Sequence, residues 1–170
     1  MLLRTLTPED AAAFQALRLR GLQECPEASA SSHEEEALTL QAEIERRLQP
    51  KNDSAMIGLF RDEKVVGLTG VQREGMAKLA HKPFIWGVYV APEARGYGVG
   101  TSVVSHALNY ASEVLGVRQV NLGVNAANTA AVELYKKLGF VQYGFERGFL
   151  MVAGVLHDEY QMVWHAPSAA

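Results

Sequence analysis

The segment that most restricts how this chain can fold is Val88-Tyr89-Val90-Ala91-Pro92-Glu93-Ala94-Arg95-Gly96-Tyr97-Gly98-Val99-Gly100-Thr101. A β-branched and aromatic run feeds a glycine-rich turn, and the turn opens a helix. Val99, Val103, Ala107, Ala111 and Leu115 then recur at spacing four, the apolar stripe of an amphipathic helix. Glycine admits positive φ and lets a ligand come close to the backbone. The N–H groups of a first helical turn have no partner inside the helix, and the helix dipole adds positive potential there. The segment therefore predicts an anion site suited to a pyrophosphate, to which Arg95 adds a charge. A P-loop needs a lysine after its final glycine, whereas Gly100 is followed by Thr101-Ser102, which speaks against an NTPase. A dinucleotide fingerprint counted from Gly98 needs a glycine where Val103 stands.

Around this segment the pattern reads as α/β with a mixed sheet. Leu2 to Leu6 is a short strand. Thr7-Pro8-Glu9-Asp10 announces a helix through a hydroxyl N-cap, a proline at the first helical position and acids in the first turn. That helix carries Phe14, Leu17 and Leu22 and ends at Cys25-Pro26-Glu27. Ser32 with Glu35 is a capping-box signature for a second helix, read as one element through Leu38, Ile44 and Leu48. Ala55 to Phe60 and Val65 to Gln72 flank Arg61-Asp62-Glu63-Lys64 and read as a hairpin. Gly75 to Pro83 is a loop, Phe84 to Val90 a third strand of this run, and Gln119 to Val124 another. Ala130, Leu134 and Leu138 mark a helix with Lys136 and Lys137 in its last turn and Gly139 just beyond. Phe140 to Phe145 and Glu159 to Trp164 are the closing strands, and residues 166–170 read as a frayed tail.

With 170 residues the chain is one domain, residues 1–170, and 48% hydrophobic against 21% charged residues excludes disorder as its overall state. A net charge of −3 gives no basic footprint for nucleic acid. No apolar run is long enough to span a membrane, and no signal segment is recognisable. Cys25 is the single cysteine, so no intrachain disulfide forms. A cytoplasmic protein is expected.

Asn128, Ala131, Tyr135 and Leu138-Gly139-Phe140, together with Arg95-x-x-Gly98-x-Gly100, stand at the spacing and in the order of the GCN5-related N-acetyltransferases. The chain resembles that family over most of its length. The resemblance implies a mixed, mostly antiparallel central sheet of about seven strands, with splayed central parallel strands and about four helices. It implies acetyl-coenzyme A as cosubstrate, without a metal. The pantetheine arm would lie along Val88, Tyr89 and Val90, and the pyrophosphate on Arg95, Gly96, Tyr97, Gly98, Val99, Gly100 and Thr101. Asn128 reads as an N-cap and, by resemblance, as a contact to the pantetheine arm. Tyr135 reads as a core aromatic by spacing and, by resemblance, as the acid that protonates the leaving thiolate.

The implied function is direct transfer of an acetyl group to a primary amine in a ternary complex. The acceptor is a small molecule or a protein amino group. The rival is a non-catalytic acyl-coenzyme A sensor. The segment Phe84-Ile85-Trp86-Gly87-Val88 carries no carboxylate, so the base stays open among Glu36, His81, His157, Asp158, Glu159 and a water relay. Acceptor specificity is expected in Gln23 to Ser32, Gly75 to Pro83 and Phe145 to His157. Glu34-Glu35-Glu36 complements a helix dipole or attracts a cationic substrate. The five histidines are scattered without a His-x-x-x-His pair, and no Gly-x-Ser-x-Gly elbow occurs. Apolar closing strands offer a surface for a homodimer.

Overall fold

Strands β1 (Leu2–Thr5), β2 (Ser54–Arg61), β3 (Lys64–Gln72), β4 (Phe84–Val90), β5 (Gln119–Asn125), β6 (Val141–Val152) and β7 (Val155–His165) form one sheet in the computed structural model, which describes residues 1–168. Their order is β1-β2-β3-β4-β5-β7-β6, antiparallel throughout except for the parallel pair β4 and β5. Helices α1 (Ala11–Glu24), α2 (His33–Ala37), α3 (Gln41–Arg47), α4 (Val99–Glu113) and α5 (Thr129–Lys137) complete the chain. The expected mixed α/β architecture is present.

Helix α4 packs on one face of the sheet. Its spacing-four stripe is buried along its whole length, with Val103, Ala107 and Ala111 fully enclosed. Gly67 of β3 lets Val99 of α4 lie directly on the sheet. Each fully buried valine or leucine contributes roughly 1.5–3 kcal/mol, so this stripe anchors the turn that precedes it. Helix α1 packs on the other face, where the Tyr89 ring rests on Gly21.

The second predicted helix is two elements. Ser32 caps α2 by accepting from Glu35 N at 3.1 Å, but the chain breaks at Leu38–Leu40, where both leucines are exposed. The reason is an ion pair: Arg47 Nη1 donates to buried Glu36 Oε1 at 2.7 Å. In one straight helix those residues would stand roughly 16 Å apart along the axis. The closing strands also run further than their patterns predict, because β6 and β7 continue to a tight turn at Ala153-Gly154. At the end of the chain, Ala166 N donates to Arg118 O at 2.8 Å and Pro167 O accepts from Arg118. Residues 169–170 of the predicted tail lie outside the described residues.

One irregularity shapes the centre of the sheet. β3 and β4 pair regularly to Gly70↔Trp86 and resume at Leu68↔Tyr89, so Thr69 faces both Gly87 and Val88. Gly87 has φ +62, a conformation that favours glycine, and Thr69 Oγ1 donates to Trp86 O at 3.2 Å. Such a bulge bends its strand. β5 accordingly follows β4 only at its start, through the pair Phe84↔Asn121 and the bond from Asn121 N to Pro83 O at 3.0 Å. Beyond the bulge, Val88, Tyr89 and Val90 have no strand on the β5 side.

Candidate active site

The gap between β4 and β5 leads to the glycine turn. Gly96 and Gly98 hold φ of +83 and +76, and a Cβ at either would meet nothing within 4 Å. Gly98 is the N-cap of α4, and the first bond into the helix runs from Ser102 N to Gly98 O at 2.9 Å. The N–H groups of Val99, Gly100 and Thr101 precede that bond and stay free of it. Together with the open space at Gly96 and Gly98 they make a cradle that fits a phosphate group. Gly100 differs, since a Cβ there would lie 2.9 Å from Leu134 Cδ1, the end of a side chain that would have to shift to admit it. Val99 is buried and Tyr97 is exposed over Arg61, so these two offer the cradle backbone only.

Arg95 does not stand free. Its Nε donates to Val90 O at 3.0 Å, and its Nη2 lies 3.5 Å from Glu24 Oε2. Glu24 also accepts from Tyr89 Oη at 2.5 Å and from Arg20 Nε at 2.9 Å. Arg20 in turn clamps Glu93 with two bonds of 2.8 and 3.0 Å and holds its carboxyl down to about 2. This chain of charges ties α1 to the turn. Burial raises the Tyr89 phenol above its ordinary range, and the Glu24 carboxylate adds to that. Below it, Val88 and Tyr89 line a small pocket with Gly21 and Cys25, whose thiol burial also pushes up.

Asn128 caps α5, its Oδ1 accepting from Ala131 N at 3.1 Å. Tyr135 is 6% exposed, with its ring edge-on to Phe140 at 5.7 Å between centroids. Its phenol, protonated at neutral pH like any tyrosine, has its pKa raised further by burial. Among the described residues no hydrogen bond to that hydroxyl is seen.

A cleft of about 510 Å³ opens beside the bulge, lined by Trp86, Gly87, Gly123, His157, Asp158 and Glu159 among others. Of the candidate bases, His157, Asp158 and Glu159 reach it. Asp158 Oδ1 is engaged by Gly148 N at 2.9 Å. Glu159 lies over Gly123, where a Cβ would overlap its carboxylate. Burial raises the Glu159 carboxyl above its ordinary range, and the neighbouring Glu146 charge adds to that. Glu36 is elsewhere, buried between Arg18 and Arg47, and His81 lines none of these cavities. Two of the three predicted specificity segments line the cleft, through Glu27 to Ser31 and through Phe149, Leu150 and His157, whereas Gly75 to Pro83 does not.

Sequence reasoning missed Arg18, Trp86 and the bulge. Two of these left a trace: Arg18 is an arginine on the buried stripe of α1 between Leu17 and Leu22, and the bulge falls at a glycine inside a strand. Among the described residues no group of three or more His, Cys, Asp or Glu could hold a metal, and no helix is long and apolar enough to cross a membrane.

A mixed sheet with a splayed parallel pair and a glycine turn at the start of α4 defines the class of α/β fold to which the chain belongs. The chain belongs to the acetyltransferase (GNAT) family, whose model matches residues 18–140. A mycothiol acetyltransferase of Thermobispora bispora is 34% identical over 147 residues, covering 83% of this chain and 46% of that protein. The chain spans less than half the length of the curated relatives it matches. An acetyltransferase of the GNAT family from Streptococcus pneumoniae shares the fold at a TM-score of 0.87, with 23% identity and 96% and 98% of the two chains covered. The yncA acetyltransferase of Salmonella typhimurium, solved with its cofactor acetyl-CoA, aligns at a TM-score of 0.79 with 18% identity, covering 100% of this chain and 96% of that one.

Proposed function

We propose that this chain is an acetyl-coenzyme A-dependent N-acetyltransferase that passes the acetyl group directly to a primary amine in a ternary complex. The observation that carries the proposal is the splay at Gly87. It leaves one side of Val88–Val90 without a strand, and that side leads to the cradle at Gly98. Unpaired strand amides in a cleft need polar partners, and a pantetheine arm has them. The amides from Gly96 to Thr101 hold the pyrophosphate, and Asn128 borders the arm at the start of α5.

The coenzyme supplies an acetyl thioester when bound. A backbone N–H of Val88–Val90 faces the developing negative charge on the acetyl oxygen. Glu159 takes the proton of the acceptor ammonium, a task for which its raised pKa suits it. Tyr135 holds the proton destined for the leaving thiolate. The cleft carries Glu27, Asp158 and Glu159 and no lysine or arginine, so it attracts a cationic amine.

Acetyl-coenzyme A at a hundred times its Kd should raise stability by about 2.7 kcal/mol. A thermal-shift titration therefore shows a higher Tm, and thiol release against a panel of amines shows turnover. Gly98→Val fills the open side of the cradle and should abolish the shift. Gly100→Val is the poorer test, because it also displaces the Leu134 side chain. An unaltered Tm at millimolar coenzyme sinks the proposal, and binding without turnover leaves only the sensor.

The homodimer is a second proposal. β6 is an edge strand on which Val141, Tyr143, Phe145 and Met151 are exposed by 65, 59, 47 and 70%. Exposed apolar edges pair. Light scattering should give twice 18.6 kDa, and a single-chain mass at tens of micromolar rejects it.

A further inference from the structure

The acidic cleft shares Ser31, Phe84 and Trp86 with a second cavity of about 460 Å³ whose charge is opposite. This chamber is lined by Arg18, Arg47 and Lys51 against one carboxylate, Glu36. Arg18 is only 6% exposed, so its charge is held inside the protein. Its Nη2 donates to Ser31 Oγ at 3.0 Å. Its Nε lies 3.4 Å from Glu36 Oε1 but is too poorly aligned to donate, and remains without a hydrogen-bond partner. Glu36 Oε1 is already engaged by Arg47 at 2.7 Å. The guanidinium stands 5.1 Å from the Trp86 ring, and its Nη1 is 3.3 Å from where a Cβ on Gly87 would sit. A buried cation with unspent donors thus stands at the bulge, between the basic chamber and the acidic cleft.

Arg47 is paired with Glu36 at 2.7 Å and also with Glu43, whose Oε1 lies 3.6 Å from its Nε, whereas buried Arg18 has only a share of Glu36 and an Nε without a hydrogen-bond partner, and a buried charge so poorly matched is costly. A second carboxylate completes the site, since a guanidinium fork matches its two oxygens. We infer that the acceptor is a small amine that carries its own carboxylate, which Arg18 grips from the basic chamber while the amine lies in the acidic cleft near Glu159. This rests on the acetyltransferase reading above and narrows its acceptor from any primary amine to an amino carboxylate. Arg47 and Lys51 add long-range attraction for the anionic end. The Trp86 ring separates the two poles and fixes the orientation of the bound molecule.

The test uses Trp164→Phe, which leaves Trp86 as the single tryptophan of the two in the chain. The probes are the L-α-amino acids, β-alanine and γ-aminobutyrate, their carboxamides, and the polyamines putrescine and spermidine. Trp86 emission is followed with and without coenzyme A, and thiol release is followed with acetyl-coenzyme A. At least one amino carboxylate should change Trp86 emission and be acetylated. Its carboxamide should be weaker by at least about tenfold in kcat/KM, the worth of a charge-assisted hydrogen bond. Arg47→Gln and Lys51→Gln should raise KM for that carboxylate more than they lower kcat. Arg18→Lys keeps the charge, loses the fork, and should weaken the carboxylate more than its amide. Polyamines accepted in preference to every amino carboxylate overturn the inference. So does a carboxamide as good as its acid, or Trp86 emission indifferent to all carboxylates at millimolar concentration. A missing thermal shift with acetyl-coenzyme A would instead fail the underlying reading, and the emission titration reports independently of it.

Discussion

Tyr135→Phe is expected to lower kcat by about 10²–10⁴-fold, the usual worth of a general acid, while leaving acetyl-coenzyme A affinity nearly intact. The substitution removes one hydroxyl and keeps the ring, so the edge-on contact with Phe140 survives. That hydroxyl makes no hydrogen bond among the described residues, so its loss should not cost stability. A tyrosine phenol is protonated at neutral pH, the state a proton donor needs, and burial raises its pKa further. The proposed cradle at Gly98 lies on a different element, so coenzyme affinity should not depend on that hydroxyl. The measurement is pre-steady-state turnover, which isolates the chemical step, beside a thermal shift with the coenzyme. The loss should shrink for an acyl donor with a more acidic leaving thiol. A chemical step as fast as in the unaltered protein makes Tyr135 a packing residue and leaves protonation to water.

Glu159→Gln should have an effect of similar size, about 10²–10⁴-fold on kcat, and should also change the pH profile. The Glu159 carboxyl lies above the ordinary carboxylate range, chiefly through burial and secondarily through Glu146. The base form is therefore lost as pH falls through that raised pKa, and kcat/KM should decline there, above the pH at which exposed carboxylates protonate. The glutamine variant lacks that limb. An acceptor with a weakly basic amine keeps the amine's own ionisation from hiding it. The same shift has an opposite consequence for folding. A group that binds its proton more tightly in the native state makes stability fall as pH rises through the raised pKa. Glu159→Gln should thus raise Tm at neutral pH while it lowers activity, a trade expected of catalytic groups. An acid limb that persists unchanged in the variant assigns the base to water or to His157.

The parts legible in the sequence are those written in local spacing. The stripe from Val99 to Leu115 identified α4, the glycines marked its start, and Asn128 with Gly139 bracketed α5. These signals act within one or two helical turns, so no tertiary information is needed to interpret them. The closing hairpin was harder to delimit. β6 is exposed on both faces for most of its length, so it lacks the alternation that marks a half-buried strand.

The sequence by itself determined the order of the strands, the glycine turn at the start of α4 and the family, because glycine positions and apolar periods are constraints on neighbouring residues. Only the tertiary structure decided what surrounds the reacting groups. Glu159 was one of five candidate side chains by sequence and stood out from them when β7 paired with β5 and laid its carboxylate over Gly123. The break between α2 and α3 followed from Arg47 reaching back to Glu36. Arg18 meets Trp86 only because α1 packs on the sheet face beside the β4 bulge. Burial and charge opposition in such clusters depend on residues tens of positions apart, and no local pattern in the chain records those distances.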